Sequence, residues 1–460
     1  MPRVAGRHMT AGTLAAMAAA LLVALAGCEK VTHEKLDDWL STRNGPDKLR
    51  KAVRDSDLDA DLRAHAAQNL IRLGEEGAAF EGIEAASETT RKKIAAEMAP
   101  LLWENARIDK PMAIPSPLQT TAKDALFRLR KVADDDTRGR IDGYLTDWLT
   151  GGWYDGRAES GVVPGEQIIR AIGPSTSQRM IAALDRVIAA PPDAQGATVK
   201  IGDKLLLGVA VCGSPESVGK LLDVMRSGQL AKQDQGLPVR VMNALIIAYI
   251  APEDFEAVAP AALVPHVATL AGLAKDENQP PAVIQGAIDL VQKAGMPACL
   301  DPLVGMVSHP HANPRYRWIA AQRALDCGKL EALIPVVEAF PVNGEFARDD
   351  LDGTVWERAG QMGARKQVAE RARTLLSSDS WVARVTAAEL LARLADPATA
   401  AADAALIRGL AGDRTPLRGW WGDQEEVPVA KRKKVPTLGQ VAAEAASRLE
   451  ELAKAGQKKG

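Results

Sequence analysis

The feature that most constrains this chain is a set of apolar residues recurring at helical spacing between regularly placed breaks. Val218, Leu221, Leu222 and Met225 fall at i, i+3, i+4 and i+7. So do Leu300, Leu303, Val304 and Val307, and again Leu330, Leu333, Ile334 and Val337. Each set makes one apolar stripe on a helix. Glycine or proline interrupts the pattern at Gly213, Pro252, Gly295, Gly328, Gly363 and Pro397. The breaks recur at roughly 33–43 residues, a period at which each unit is too small to bury its own face and must stack on the next. No run alternates with period two over consecutive segments, so a sheet domain is not expected. The spacing predicts an all-α chain, an α-solenoid of helical hairpins.

Composition agrees with short, closely packed helices. Hydrophobic residues make up 47% of the chain and aromatics only 4%. Alanine is abundant, and it is the best helix former. The 38 glycines and 27 prolines fall mostly between the periodic segments, as punctuation. The net charge is −2, and it becomes −4 once Arg3 and Arg7 are removed with the leader described below. A basic nucleic-acid footprint is absent, so no nucleic-acid partner is expected.

The first helix of several pairs shares a signature. Asp59-Ala60-Asp61-Leu62-Arg63 leads into Ala66-Ala67 and Leu70, and ends at Leu73-Gly74. Asp379 leads to Arg384, Ala387-Ala388 and Leu390-Leu391. Pro314-Arg315-Tyr316-Arg317 leads to Ala320-Ala321 and Ala324-Leu325, and Pro238-Val239-Arg240 to Ala244-Leu245. An acidic residue can cap the free N–H groups at such a start, and a proline needs none. These segments resemble HEAT repeats, especially the short lyase-like kind. The resemblance covers about 58–455 and implies HEAT-like helical-hairpin repeats. It also implies that Arg63, Arg240, Arg317 and Arg384 line the inner curve, or join ladders with acids between repeats.

The organisation expected is a leader at 1–27, a tether and first helix at 28–57, and partly degenerate repeats at 58–199. Regular repeats follow at 200–412, then a loop insertion at 413–437 and a capping helix with its tail at 438–460. Pro111, Pro115 and Pro117 mark a loop in the degenerate part. The 413–437 stretch is too long for an ordinary helix–helix connection. It holds Trp420-Trp421, Glu425-Glu426 and the basic run Lys431-Arg432-Lys433-Lys434.

At the N-terminus, Arg3 and Arg7 precede an apolar run from Ala15 to Ala24, which ends in Leu25-Ala26-Gly27-Cys28. That order is the order of a secretory signal, and the run is too short for a membrane span. With cysteine at the cut, it resembles the lipobox of bacterial lipoproteins. The resemblance implies a lipidated Cys28, a membrane anchor, and a place in the cell envelope. Glu29 follows the cysteine, which by the same resemblance points to the outer membrane, facing the periplasm.

No catalytic pattern is present: no G-x-S-x-G, phosphate-binding loop, H-E-x-x-H or C-x-x-C. His33-Glu34 begins a zincin pattern, but Asp37 stands where the second histidine belongs, so His33 reads as a tether residue. Asp55, Asp57, Asp59 and Asp61 alternate like a calcium loop, but Ala60 and Ala66 occupy the required Gly and Glu positions. Helix capping is the reading for that run. His309, Pro310 and His311 between Cys299 and Cys327 read as a turn rather than a zinc site. No metal and no cofactor are expected.

The expected function is a scaffold or adaptor that binds a protein partner in the envelope, not an enzyme. Aromatic and arginine residues are the usual binding hot spots. The candidates are Arg315, Tyr316, Arg317, Trp318, Trp381, Trp420 and Trp421, joined by Lys431, Arg432, Lys433 and Lys434; for the first five, packing between repeats is the competing reading, because large aromatics usually fill interiors. The alternatives are a lyase-like enzyme acting on a cysteine-linked chromophore, which rests on fold analogy, and an assembly factor for envelope machinery. Export would place the cysteines in an oxidising compartment. Stacked breaks would bring Cys299 and Cys327 to one edge, within disulfide reach. Cys212, at least two repeats away, would stay unpaired.

Overall fold

The computed structural model describes residues 30–191, 200–250, 256–310 and 313–457. The leader, Cys28 and Glu29 lie outside these residues, as do Pro252 and His311. Among the described residues the regular structure is helical, and the only β pairing is an isolated bridge between Pro416 and Thr437. The architecture is all-α, built of stacked helical hairpins. The chain forms two compact units, the first ending at Ile168 and the second beginning at Ile169.

In the first unit the longer helices are α1 His33–Asp38, α2 Gly45–Arg54, α3 Ala60–Arg72, α4 Glu76–Glu84, α5 Glu88–Ala106, α6 Pro117–Leu129 and α7 Asp135–Thr150. The chain packs α2 on α3, α3 on α5 and α5 on α6. Starts are fixed by side chains. Ser87 accepts from Thr90 N, and Asp134 from Thr137 N. Ser116 and Gln119 form a full capping box just ahead of Pro117. Such a cap contributes about 1 kcal/mol.

In the second unit, after a helix at Ser177–Ile188, come α8 Asp203–Val211, α9 Pro215–Arg226, α10 Leu237–Ile250, α11 Val267–Lys275, α12 Pro281–Lys293, α13 Leu300–Val307, α14 Arg315–Gly328, α15 Leu330–Ala339, α16 Arg365–Leu375, α17 Trp381–Arg393, α18 Ala400–Arg408 and α19 Leu438–Gln457. They form two layers. In one, α8, α10, α12 and α14 pack in succession, and α17 packs on α19. In the other, α11, α13, α15 and α16 follow each other. The place between α14 and α17 is filled by a helical segment at 348–361 whose middle, Asp352–Trp356, is a π turn. The facing surfaces are small: Ala320, Ala321 and Ala324 on α14, and Ala387 and Ala388 on α17, are all fully buried. Val218, Leu221, Leu222 and Met225 are all buried, as the periodicity requires.

Three of the breaks are positions that only glycine takes without strain. Gly213, Gly295 and Gly363 have φ of 70°, 78° and 71°. The fourth differs from the sequence reading. Gly328 still belongs to α14, and the left-handed residue is Lys329, with φ 48°. Gly328 is small for another reason: a Cβ there would sit 2.8 Å from the Cβ of Ala332.

Two further expectations are corrected. His33 is not tether. Thr32 caps α1, Leu36 is fully buried, and α1 packs on α3. Asp59 stands at the N-cap of α3 but makes no side-chain cap bond, and Asp61 turns instead to His33. Asp61 is the second residue of the helix, and its carboxylate is taken by His33 of the neighbouring helix rather than by the free N–H groups of its own first turn.

Candidate protein-binding site

The cysteines bracket the hairpin formed by α13 and α14. Cys299 is the N-cap of α13 and Cys327 sits in the last turn of α14. They are joined by a disulfide, with Cα atoms 6.7 Å apart. Cys212 is free and buried. Burial pushes its thiol up to about 11, against the bonds it makes with Thr176 and Ser217. Thr176 Oγ1 is 3.2 Å from its sulfur.

The aromatic candidates separate into core and surface. Tyr316, Trp381 and Trp420 are buried, and Trp318 is half-buried. Trp318 packs on Phe340 and Phe346 at 5.1 and 5.7 Å, and Phe346 reaches Trp381 at 5.9 Å. Trp381 Nε1 donates to the carbonyl of Val342 at 3.1 Å. Trp420 faces the fully buried Trp356 at 6.1 Å. The reason is volume. Alanine-lined helices cannot fill the space where the π turn interrupts the stack, so the few large rings gather there. Arg317 belongs to the same cluster, over Phe346, and only Arg315 of that tetrad is exposed.

The 413–437 loop is ordered by its own polar groups. Phe346 N donates to Arg418 O and Arg348 N to Trp420 O, each at 3.0 Å, so the loop runs beside the segment 345–348. At its far end Leu417 N donates to Pro436 O and Leu438 N to Thr415 O. The basic run is divided. Arg432 donates to the carbonyls of Val427 and Glu425, both at 2.9 Å, and so pins the loop. Lys433 Nζ lies over the Trp421 ring at 4.4 Å, and Trp421 Nε1 donates to Lys434 O at 3.0 Å. Lys431 and Lys434 project from the surface. Trp421 keeps 39% of its surface exposed.

Beside it opens a cavity of about 750 Å³, bordered by Trp421, Arg418, Glu345, Asp350, Asp423 and Glu425. Loss of water contact raises the Asp350 carboxyl above its usual range, and the neighbouring charge of Asp349 adds to this. The surface therefore offers an indole edge, an acid-lined hollow and two outward lysines. It can bind a polar, mixed-charge surface, and it presents no paired nucleophile and base.

The signature arginines serve the fold. Arg63 Nε donates to Val53 O at 2.8 Å, and Arg317 Nε to Val307 O at 2.9 Å. Arg384 pairs with Asp413 at 2.6 Å, and Arg240 with Asp203 and Asp234. The Arg240–Asp203 pair joins α10 to α8, and further rungs of the same kind lie on other arginines: Arg323 reaches Asp289, Arg358 reaches Asp326, and Arg393 reaches Asp352. Arg323 also approaches Asp326 at 3.6 Å, which links two rungs. These three arginines stand 35 residues apart (323, 358, 393), a signal present in the sequence at the repeat period.

No protein-family model matches the chain, and no curated protein does. Among solved structures it is similar to human deoxyhypusine hydroxylase in complex with glycerol, at 15% identity over 79% of this chain and 98% of that one. The TM-score is 0.20, too low for the likeness to carry an argument.

Proposed function

We propose that the chain is a lipid-anchored adaptor of a bacterial cell envelope. Its helical repeats carry a docking surface for a protein partner in the loop at 413–437. The anchor rests on Arg3, Arg7, the Ala15–Ala24 run and Cys28. By the identity of Glu29, the outer membrane facing the periplasm is the expected address. The observation that supports the binding role is the loop itself. Arg432 and the Trp421 Nε1 bond hold it in one shape while Trp421, Lys431 and Lys434 face solvent. A rigid loop loses little conformational entropy when it binds.

Cross-linking in intact cells followed by mass spectrometry tests the reading. Cross-links from Lys431 and Lys434 to one envelope protein are expected, and they should fall at least tenfold in a Trp421→Ala variant, which keeps both lysines. Partner cross-links that map elsewhere and survive that variant would remove the loop from the binding surface. Cys28→Ala tests the anchor separately: it should block lipidation and leave the protein unprocessed or mislocalised, and membrane fractionation after a high-salt wash with an unchanged N-terminus would overturn the anchor.

A further inference from the structure

A cavity of about 420 Å³ opens in the second unit between α16 and the turn that joins α17 to α18. Arg365, Ala369 and Arg373 line it, four residues apart on one face of α16, with Lys366 beside Arg365. Leu391 and Leu394, 1% and 8% exposed, make an apolar floor with Ala395 and Pro397. Asp396, Thr399 and Asp403 complete the wall. None of these residues belongs to the 413–437 loop, so the cavity is separate from the proposed docking surface.

Its charges divide into those already met and those left over. Arg373 donates twice to Asp403, at 2.6 and 2.9 Å. Asp403 is 3% exposed and also accepts from Thr399 Oγ1 at 3.0 Å. That pair is closed and shapes one end of the cavity. Asp396 accepts from Ala398 N at 2.9 Å, which fixes the turn. Arg365 and Lys366 are different. Among the described residues neither side chain makes an ion pair or a hydrogen bond. Glu370, the next acid along α16, does not line the cavity. With Arg373 and Asp403 cancelling each other, two cations stand against Asp396 alone.

The placement of these two cations is unfavourable without a ligand. Both stand in the first turn of α16, where the free N–H groups disfavour positive charge and favour negative. No acidic residue occupies that turn, and Ala364 at its start gives no capping bond. The apolar floor lies in the same cavity.

We propose that this cavity binds a small amphiphilic anion, with its carboxylate or phosphate held by Arg365 and Lys366 and its apolar body laid on Ala369, Leu391 and Leu394. A singly charged head matches the excess of one positive charge, and charge-assisted hydrogen bonds to a guanidinium are the strong kind. The apolar body removes the leucines from water. A bare anion leaves that floor wet, and a neutral apolar molecule leaves the cations unmet. The volume falls within the range of small-molecule sites.

Calorimetric titration of the full chain with decanoate tests the site, and methyl NMR of Leu391 and Leu394 locates it. One decanoate per chain is expected, with both leucines shifted. Arg365→Ala together with Lys366→Ala should weaken binding at least tenfold, the weight of one charged hydrogen bond. Arg371→Ala, exposed on α16 and outside the cavity, should leave binding unchanged and controls for total charge. Ala369→Leu, which fills the floor, should weaken binding while the unfolding midpoint holds. Inorganic phosphate and decyltrimethylammonium each carry one half of the ligand, and each should bind at least tenfold more weakly than decanoate. Vesicles of phosphatidylglycerol separate two sources of the same chemistry. Displacement of decanoate assigns the anion to a bilayer lipid, no displacement assigns it to a free amphiphile, and either result keeps the site. No saturable decanoate binding overturns the proposal. So does equal affinity in the folded double variant, equal binding of inorganic phosphate, or methyl shifts that spare Leu391 and Leu394.

Discussion

Arg317 donates its Nε hydrogen to the carbonyl of Val307, ten residues earlier, and so closes the end of the helix before its own. Arg63 does the same for Val53 in the other unit. Arg63 is only 4% exposed, and the loss of water contact lowers it from its ordinary value, with Asp55 opposing. The guanidinium stays charged and supplies the hydrogen that a terminal carbonyl lacks.

Arg63→Ala should therefore destabilise the first unit by about 2–3 kcal/mol, the cost of removing a charged hydrogen bond and leaving a buried carbonyl unmet. Denaturant unfolding measures it. A change under about 0.5 kcal/mol would mean that water replaces the guanidinium.

The Cys299–Cys327 bond spans a sequence separation of 28. Closing a loop of that length is worth about 3.5 kcal/mol in the chain-entropy account. Reduction should lower the stability of the second unit by that order. Non-reducing peptide mapping should find Cys299 linked to Cys327, with Cys212 a free thiol that is alkylated only after unfolding.

Trp420→Ala should cost about 3–5 kcal/mol, since it opens a cavity beside Trp356. Trp421→Ala should leave stability nearly unchanged. Thermal unfolding of the two variants separates a packing role from a surface role in adjacent residues.

Lys329 stands at φ 48° and ψ −128°, where a side chain is strained. Lys329→Gly should stabilise the chain by about 1 kcal/mol. The unfolding midpoint is the readout.

Asp413 supplies a pH dependence. Burial raises it, but the hydrogen bonds from Thr415 and the charge of Arg384 outweigh that, so its folded value is depressed. The stability it contributes is present above the unfolded value, about 3.9, and is lost as pH falls through the folded one. Asp413→Asn should flatten the acid limb of a stability–pH curve and leave the neutral region lower.

What the sequence shows of this fold is the part set by periodicity. The stripe at Val218–Met225 and the glycines at 213, 295 and 363 identify themselves, because one apolar face and one left-handed turn each demand particular residues. The roles of Trp318, Trp381 and Trp420 were not legible, because a buried ring and a binding ring look alike until the neighbouring helices are known. Lys123 is the extreme case. It is 1% exposed and donates to the carbonyls of Ser160 and Val163, contacts about 40 residues away that no local pattern encodes. The contacts of His33 with Asp61 and of Asp37 with His65 had their spacing in plain view, but not the packing of α1 on α3 that joins them.

The ladder arginines keep a constant interval while their acids do not: Asp289, Asp326 and Asp352 lie at different distances behind Arg323, Arg358 and Arg393. A guanidinium on a long, pliant stem absorbs that variation. The connections between hairpins can therefore differ in length, the long 413–437 loop among them, without redrawing the lateral pairing that keeps the stack in register.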